Sequence, residues 1–178
     1  MIIDMQNGSF TTKAPRFDAA AVVRRINDLG ELFRGRNLPV VFVQHDGTGT
    51  GEFEKYSFDW QLLGSLRISQ EDFIVRKSAN DAFYQSGLQL ILNERKINEV
   101  LIAGCATDFC VDATVQSALA RDYNVTVVAD GHTTADRPHL RAEKIIEHYN
   151  WVWRNLIPTI GKIEVKAVDQ IEIELGWS

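Results

Sequence analysis

Val100-Leu101-Ile102-Ala103-Gly104-Cys105-Ala106-Thr107-Asp108-Phe109-Cys110-Val111 passes from a continuous apolar run into the start of a helical pattern. A short run of this kind, bounded by Gly and followed by a helix, reads as a strand buried on both faces. The turn after it places Cys110 in the first helical turn. Free backbone N–H groups and the positive end of the helix dipole there are expected to stabilise a thiolate. A sulfur at the carboxyl end of a strand is a candidate nucleophile. The competing reading is a buried structural cysteine.

The same alternation extends in both directions. Ile2-Ile3-Asp4-Met5 is a short apolar run interrupted by Asp4. Residues 18–36 read as a helix with Asp18 as N-cap and Val22, Ile26, Leu29 and Leu32 on its apolar stripe. Strands are expected at 39–43, 73–75, 99–103, 125–129 and 163–165, and helices at 87–96, 108–121 and 139–155. The stretch from Gly47 to Ser65 reads as a long functional loop, and 130–138 as a second loop. Strands alternating with helices predict an α/β fold: a three-layer α/β/α domain spanning 1–178, with a mainly parallel, six-stranded Rossmann-like sheet and helices on both faces.

Composition narrows the function. With 178 residues, 45% hydrophobic and 24% charged, the chain reads as one ordinary globular domain. A net charge of -5 argues against a nucleic-acid partner. No apolar run reaches the roughly 20 residues that span a bilayer, so no membrane role is expected. The opening residues lack the basic region of a signal peptide. Two cysteines five positions apart do not form a disulfide framework, and a cytoplasmic location fits them. No Gly-x-Gly-x-x-Gly follows the first strand, where Asp4-Met5-Gln6-Asn7-Gly8 stands, which disfavours dinucleotide binding.

Asp4, Lys77 and Cys110 each lie where a different strand ends, and that is where chemistry sits in parallel sheets. A carboxylate can replace histidine as the base when burial disfavours its charged form. Together the three would supply a nucleophile, a proton carrier and an electrostatic organiser. Of the four histidines, His139 and His148 read as helix-surface residues, His132 as a loop residue and His45 as a strand-end residue able to face a pocket.

These segments resemble the isochorismatase-like cysteine hydrolases, a family that includes nicotinamidases, N-carbamoylsarcosine amidases and ureidoacrylate amidohydrolases. The resemblance rests on Ile2-Ile3-Asp4-Met5-Gln6-Asn7, on Arg76-Lys77-Ser78-Ala79-Asn80-Asp81-Ala82-Phe83, on Gly104 to Val111, and on Ala129-Asp130-Gly131-His132, in that order. It implies that Cys110 rather than Cys105 is the nucleophile, with Asp4 and Lys77 completing the triad. It implies a cis peptide at Cys105-Ala106 and an oxyanion hole formed by the N–H groups of Ala106 and Cys110. It implies hydrolysis of a small amide, ureide or lactam through a thioester, and a homo-oligomer, dimer or tetramer.

Phe10, His45, Trp60, Phe83 and Tyr84 flank the motifs or lie in the long loop, and they are the expected pocket lining. Arg76 is the sole arginine within the catalytic motifs, so no anchor for a substrate carboxylate is evident. Gln44-His45-Asp46-Gly47-Thr48-Gly49 holds one histidine where metal-dependent nicotinamidases carry more, so neither metal nor other cofactor is expected. Enol-ether hydrolysis needs no thiol, so Cys110 favours C–N cleavage. A thiol sensor pairing Cys105 with Cys110, or a non-catalytic protein on the same fold, are the other readings.

Overall fold

The computed structural model describes residues 1–176, leaving the last two positions of the expected 1–178 domain outside the description. Its six strands are β1 (Ile2–Ile3), β2 (Val41–His45), β3 (Phe73–Lys77), β4 (Glu99–Cys105), β5 (Asn124–Thr133) and β6 (Ile163–Lys166). All pair in parallel, in the order β3-β2-β1-β4-β5-β6. The chain starts mid-sheet, winds out to β3, and returns to lay β4 beside β1. The crevice at that reversal is where doubly wound sheets bind ligands.

Alternation along the strands sorts the core into two layers. Ile3, Val41, Val43, Val75, Ile102 and Val127 face the side covered by α2 (Leu88–Glu94), α3 (Asp112–Leu119) and α4 (Ala142–Arg154). Ile2, Phe42, Ala103 and Cys105 face the side covered by α1 (Ala19–Gly35) and α5 (Val168–Glu174). Helix α1 buries Val22, Val23, Ile26, Leu29 and Leu32, the stripe its 3.6-residue period requires. No helix among the described residues is long and apolar enough to cross a membrane.

Several expectations need correction. Asp18 precedes α1 but makes no side-chain cap; its φ of 49° turns it away and its carboxylate pairs with Arg25 at 3.1 Å. The expected helix at 108–121 is two pieces, a π-helical turn at Thr107–Val111 followed by α3. Strand β5 runs to Thr133 instead of ending at Ala129, because the β4–β5 register shifts between Ile102 and Gly104 and pairs Gly104 with His132. Helix α5 was not anticipated. On α4, Trp153 is fully buried and donates to Asp112 Oδ1 at 2.9 Å, whereas Trp151 is exposed.

Gly104 holds the two central strands at their close approach. Its φ is +126°, and a Cβ there would sit 2.2 Å from the Ile3 carbonyl oxygen and 2.5 Å from the Ile3 nitrogen. Only glycine tolerates both conditions. Gly104→Ala is expected to lower stability by more than about 2 kcal/mol through overpacking and an unfavourable φ, read as a lower urea midpoint. An unchanged midpoint would show that β1 and β4 can separate freely.

Candidate active site

Asp4 leaves β1 in the left-handed region, at φ 46°, with its N–H donating to the Val43 carbonyl at 2.9 Å. Non-glycine residues occupy this region at a cost, and they concentrate at functional sites. The turn aims its carboxylate across β2 towards β3. There Asp4 Oδ2 meets Lys77 Nζ at 2.6 Å, with the two side chains 6% and 0% exposed. Lys77 Nζ also donates to the Ala79 carbonyl at 2.8 Å. Asp4 Oδ1 is buried and has no hydrogen-bond partner.

Cys110 arrives from the other side, on the π-turn after β4. Turns of this kind recur at functional sites. Asp4 and Lys77 both act on its thiol through side-chain hydrogen bonding and charge. The structure therefore gathers the ends of β1 and β3 and the turn after β4 at one point. The expectation of a resting thiolate does not hold. Burial, then the charge of Asp4, pushes the Cys110 thiol up to about 12, and Lys77 offsets only part of this. Burial and the neighbouring carboxylate thus favour the protonated form of this sulfur at neutral pH.

The turn is braced by polar contacts. The peptide Cys105-Ala106 is cis. The Ala106 carbonyl accepts the N–H groups of Phe109 and Val111, both at 3.1 Å, and these bonds use neither the Ala106 nor the Cys110 N–H. Burial disfavours charge on Asp108, but the paired donors of Arg137, both at 2.8 Å, and Thr134 Oγ1 at 2.6 Å outweigh it and hold Asp108 below the usual carboxylate range. Cys105 is buried among the α1- and α5-facing residues, whereas Cys110 packs against the opposite layer, so the two thiols face different sides of the sheet.

His132 is a buried strut and not the loop residue the sequence suggested. Asn150 donates its amide to the Ala129 carbonyl, which leaves Asn150 Oδ1 to accept from His132 Nε2 at 3.1 Å. His132 Nδ1 then accepts from Thr107 Oγ1 at 2.8 Å. Burial lowers its pKa to about 4.

Of the expected pocket lining, Phe83 is a core residue, its ring tilted against that of Tyr123 at 5.8 Å, with the Arg121 guanidinium 4.8 Å from its centroid. Its neighbours Ala82 and Leu88 share that core, so it follows the apolar pattern of the helix layer. Phe10 packs on the α1 side, and Tyr84 is exposed. Trp60 lies under Arg76 along a cavity of about 640 Å³ whose walls include none of Asp4, Lys77 and Cys110. The Trp60 carbonyl accepts from Gln6 and Gln44.

His45 does reach the site. It pairs in register with Lys77, its Nδ1 is buried without a partner, and burial followed by the Lys77 charge lowers its pKa. Fully buried Gln6 clamps the His45 backbone at both N–H and carbonyl. Asn80 was not singled out by sequence. Its exposed side chain accepts from Cys110 Sγ at 3.5 Å, and an Asn among Ser, Ala and Asp reads only as a turn residue.

The isochorismatase domain, taken as a family profile, matches residues 1–152. A streptothricin hydrolase from Streptomyces noursei is 27% identical over 138 residues, 78% of this chain and 50% of that protein. The chain thus spans about half the length of that relative. The ureidoacrylate amidohydrolase RutB of Pseudomonas savastanoi pv. phaseolicola is 25% identical over 73% of this chain and 68% of its own. A crystal structure described as an isochorismatase family protein is 30% identical, superposes with a TM-score of 0.85, and is matched over 93% of this chain and 95% of its own.

Because His132 is held neutral, stability should fall with acidity. Its folded pKa is depressed, so its contribution is complete above about 6.5 and is lost as pH drops towards 4. Urea unfolding at pH 5 should show a loss of about 2 kcal/mol relative to pH 7 that is absent in His132→Asn. Equal losses in both proteins would contradict the assignment.

Proposed function

The chain belongs to the isochorismatase family, and on that footing we propose that it is a cysteine hydrolase cleaving a C–N bond of a small amide, ureide or lactam. The observation that carries the reading is the buried Asp4–Lys77 pair with a protonated thiol beside it. The amidohydrolase activity named for one relative supports the C–N assignment. A vinyl ether could be cleaved by proton transfer from a carboxyl group alone, and a thiol at this point would then have no task.

In the proposed reaction the Cys110 proton passes to Asp4 as Sγ attacks the substrate carbon, so no free thiolate has to form before the attack. The N–H groups of Ala106 and Cys110 receive the developing oxyanion. Asp4 returns the proton to the nitrogen, the C–N bond breaks, and the amine leaves a thioester on Cys110. Water then attacks the thioester, giving one proton to Asp4, and collapse of the second tetrahedral species restores the Cys110 thiol. Lys77 stays charged throughout and keeps Asp4 in place. His45 and Trp60 each keep a buried ring nitrogen without a partner, and of the two it is His45 that lies beside Lys77, where a ligand could use it.

An ammonia-release screen of small carboxamides, ureides and lactams should find turnover that Cys110→Ala abolishes with the fold retained. Turnover persisting in that variant would overturn the reading. Lys77→Ala should lose activity and about 3–5 kcal/mol of stability, since it leaves Asp4 buried and unpaired. Asp4→Asn gives the sharper test. It removes the charge that raises the thiol and leaves the one that lowers it. Iodoacetamide should therefore alkylate Cys110 faster than in the wild type at pH 7, while turnover falls at least about a hundredfold. Slower alkylation would contradict the electrostatic assignment.

A further inference from the structure

We propose that Asn80 is a specificity-determining residue that accepts a hydrogen bond from an N–H that stays on the carbon attacked by Cys110 when the leaving group departs, so that the site selects ureides and carbamates over simple carboxamides and esters. This rests on the hydrolase reading above and deepens it. The loop that carries Asn80 is fixed on both sides. Lys77 Nζ holds the Ala79 carbonyl, Asp81 accepts the Phe83 N–H at 2.8 Å and the Ser117 hydroxyl at 2.7 Å, and the Ala82 N–H donates to Thr114 Oγ1 at 3.2 Å. These anchors hold the backbone, yet the Asn80 side chain is exposed and brings Oδ1 to 3.5 Å from Sγ. Its placement contributes nothing to the core.

The atoms bonded to an attacked carbon lie two bonds from Sγ, within reach of an oxygen 3.5 Å from that sulfur. One of them, the oxyanion, is directed to the Ala106 and Cys110 N–H groups. Of the others, an N–H suits an amide oxygen. A methyl group leaves that oxygen unpaired, and an ether-type oxygen sets lone pairs against it. The contact also bears on where the thiol proton goes. Cys110 Sγ lies 3.5 Å from Asn80 Oδ1, so the thiol has a second acceptor besides Asp4, whose buried Oδ1 makes no other hydrogen bond. A substrate N–H that takes over Asn80 Oδ1 turns the thiol proton towards Asp4, its acceptor in the attack.

Two chromogenic probes isolate this contact, p-nitrophenyl carbamate and p-nitrophenyl acetate, which differ by NH2 against CH3 on the attacked carbon. Nitrophenolate release is measured below pH 7 with the Cys110→Ala rate subtracted, and comparing variants cancels the intrinsic reactivities of the probes. Asn80→Ala should lower the carbamate-to-acetate rate ratio by about three- to tenfold, the size of one lost hydrogen bond. Asn80→Asp keeps an oxygen acceptor and should hold or raise the ratio. Equal slowing of both probes in Asn80→Ala, or an unchanged ratio, overturns the proposal and leaves the hydrolase standing. If intact-mass measurement finds Cys110 acylated by neither probe in the wild type, the nucleophile assignment fails and this proposal fails with it.

Discussion

An ammonium and a carboxylate, both buried, lie 2.6 Å apart between the ends of β3 and β1. Either charge alone in that place would cost several kcal/mol. The Asp4–Lys77 pair is tolerable only if each strand ends where it does, so the sheet's register and the site are one constraint. The pair also sets the state of the sulfur. Asp4 opposes thiol ionisation, Lys77 favours it, and burial adds to the first. The balance leaves a neutral thiol next to an unpartnered carboxylate oxygen. In the proposed reaction this arrangement would pass the thiol proton to Asp4 only as substrate is attacked.

Around this centre the fold works by close approach. Gly104 lets the backbones of β1 and β4 come nearer than any side chain would allow, at the point where the strand order reverses. The turn that follows is tied to β5 and α4 through Thr107, His132 and Asn150, and to the loop after β5 through Asp108 and Arg137. A neutral histidine and a charged carboxylate thus brace the cysteine from two directions without touching it.

Sequence made part of this legible. Cys110, Asp4 and Lys77 stood out because each interrupts or ends an apolar run, a signal that survives whatever the loops do. The two-faced sheet followed from short β-branched runs separated by helical periods. Other features depend on contacts that no local pattern encodes. His132 belongs to β5 because of a register shift set by its neighbour β4. Phe83 was read as pocket lining, yet it is apolar and next to Ala82, and the α2–α3 layer had room for it. Trp60 follows its carbonyl, which Gln6 and Gln44 hold, to a different cavity. Asn80 gains its meaning from a loop anchored to α3 by contacts that span 32 and 36 residues, to Thr114 and Ser117.

The protonation state of the sulfur at rest can be measured directly. Thiolate absorbance in the ultraviolet, recorded against pH as wild type minus Cys110→Ala, reports ionisation of this thiol alone. The account predicts no thiolate signal at pH 7 and an onset only in strong alkali, as expected of a thiol pushed up to about 12. A thiolate band already present at neutral pH would contradict it.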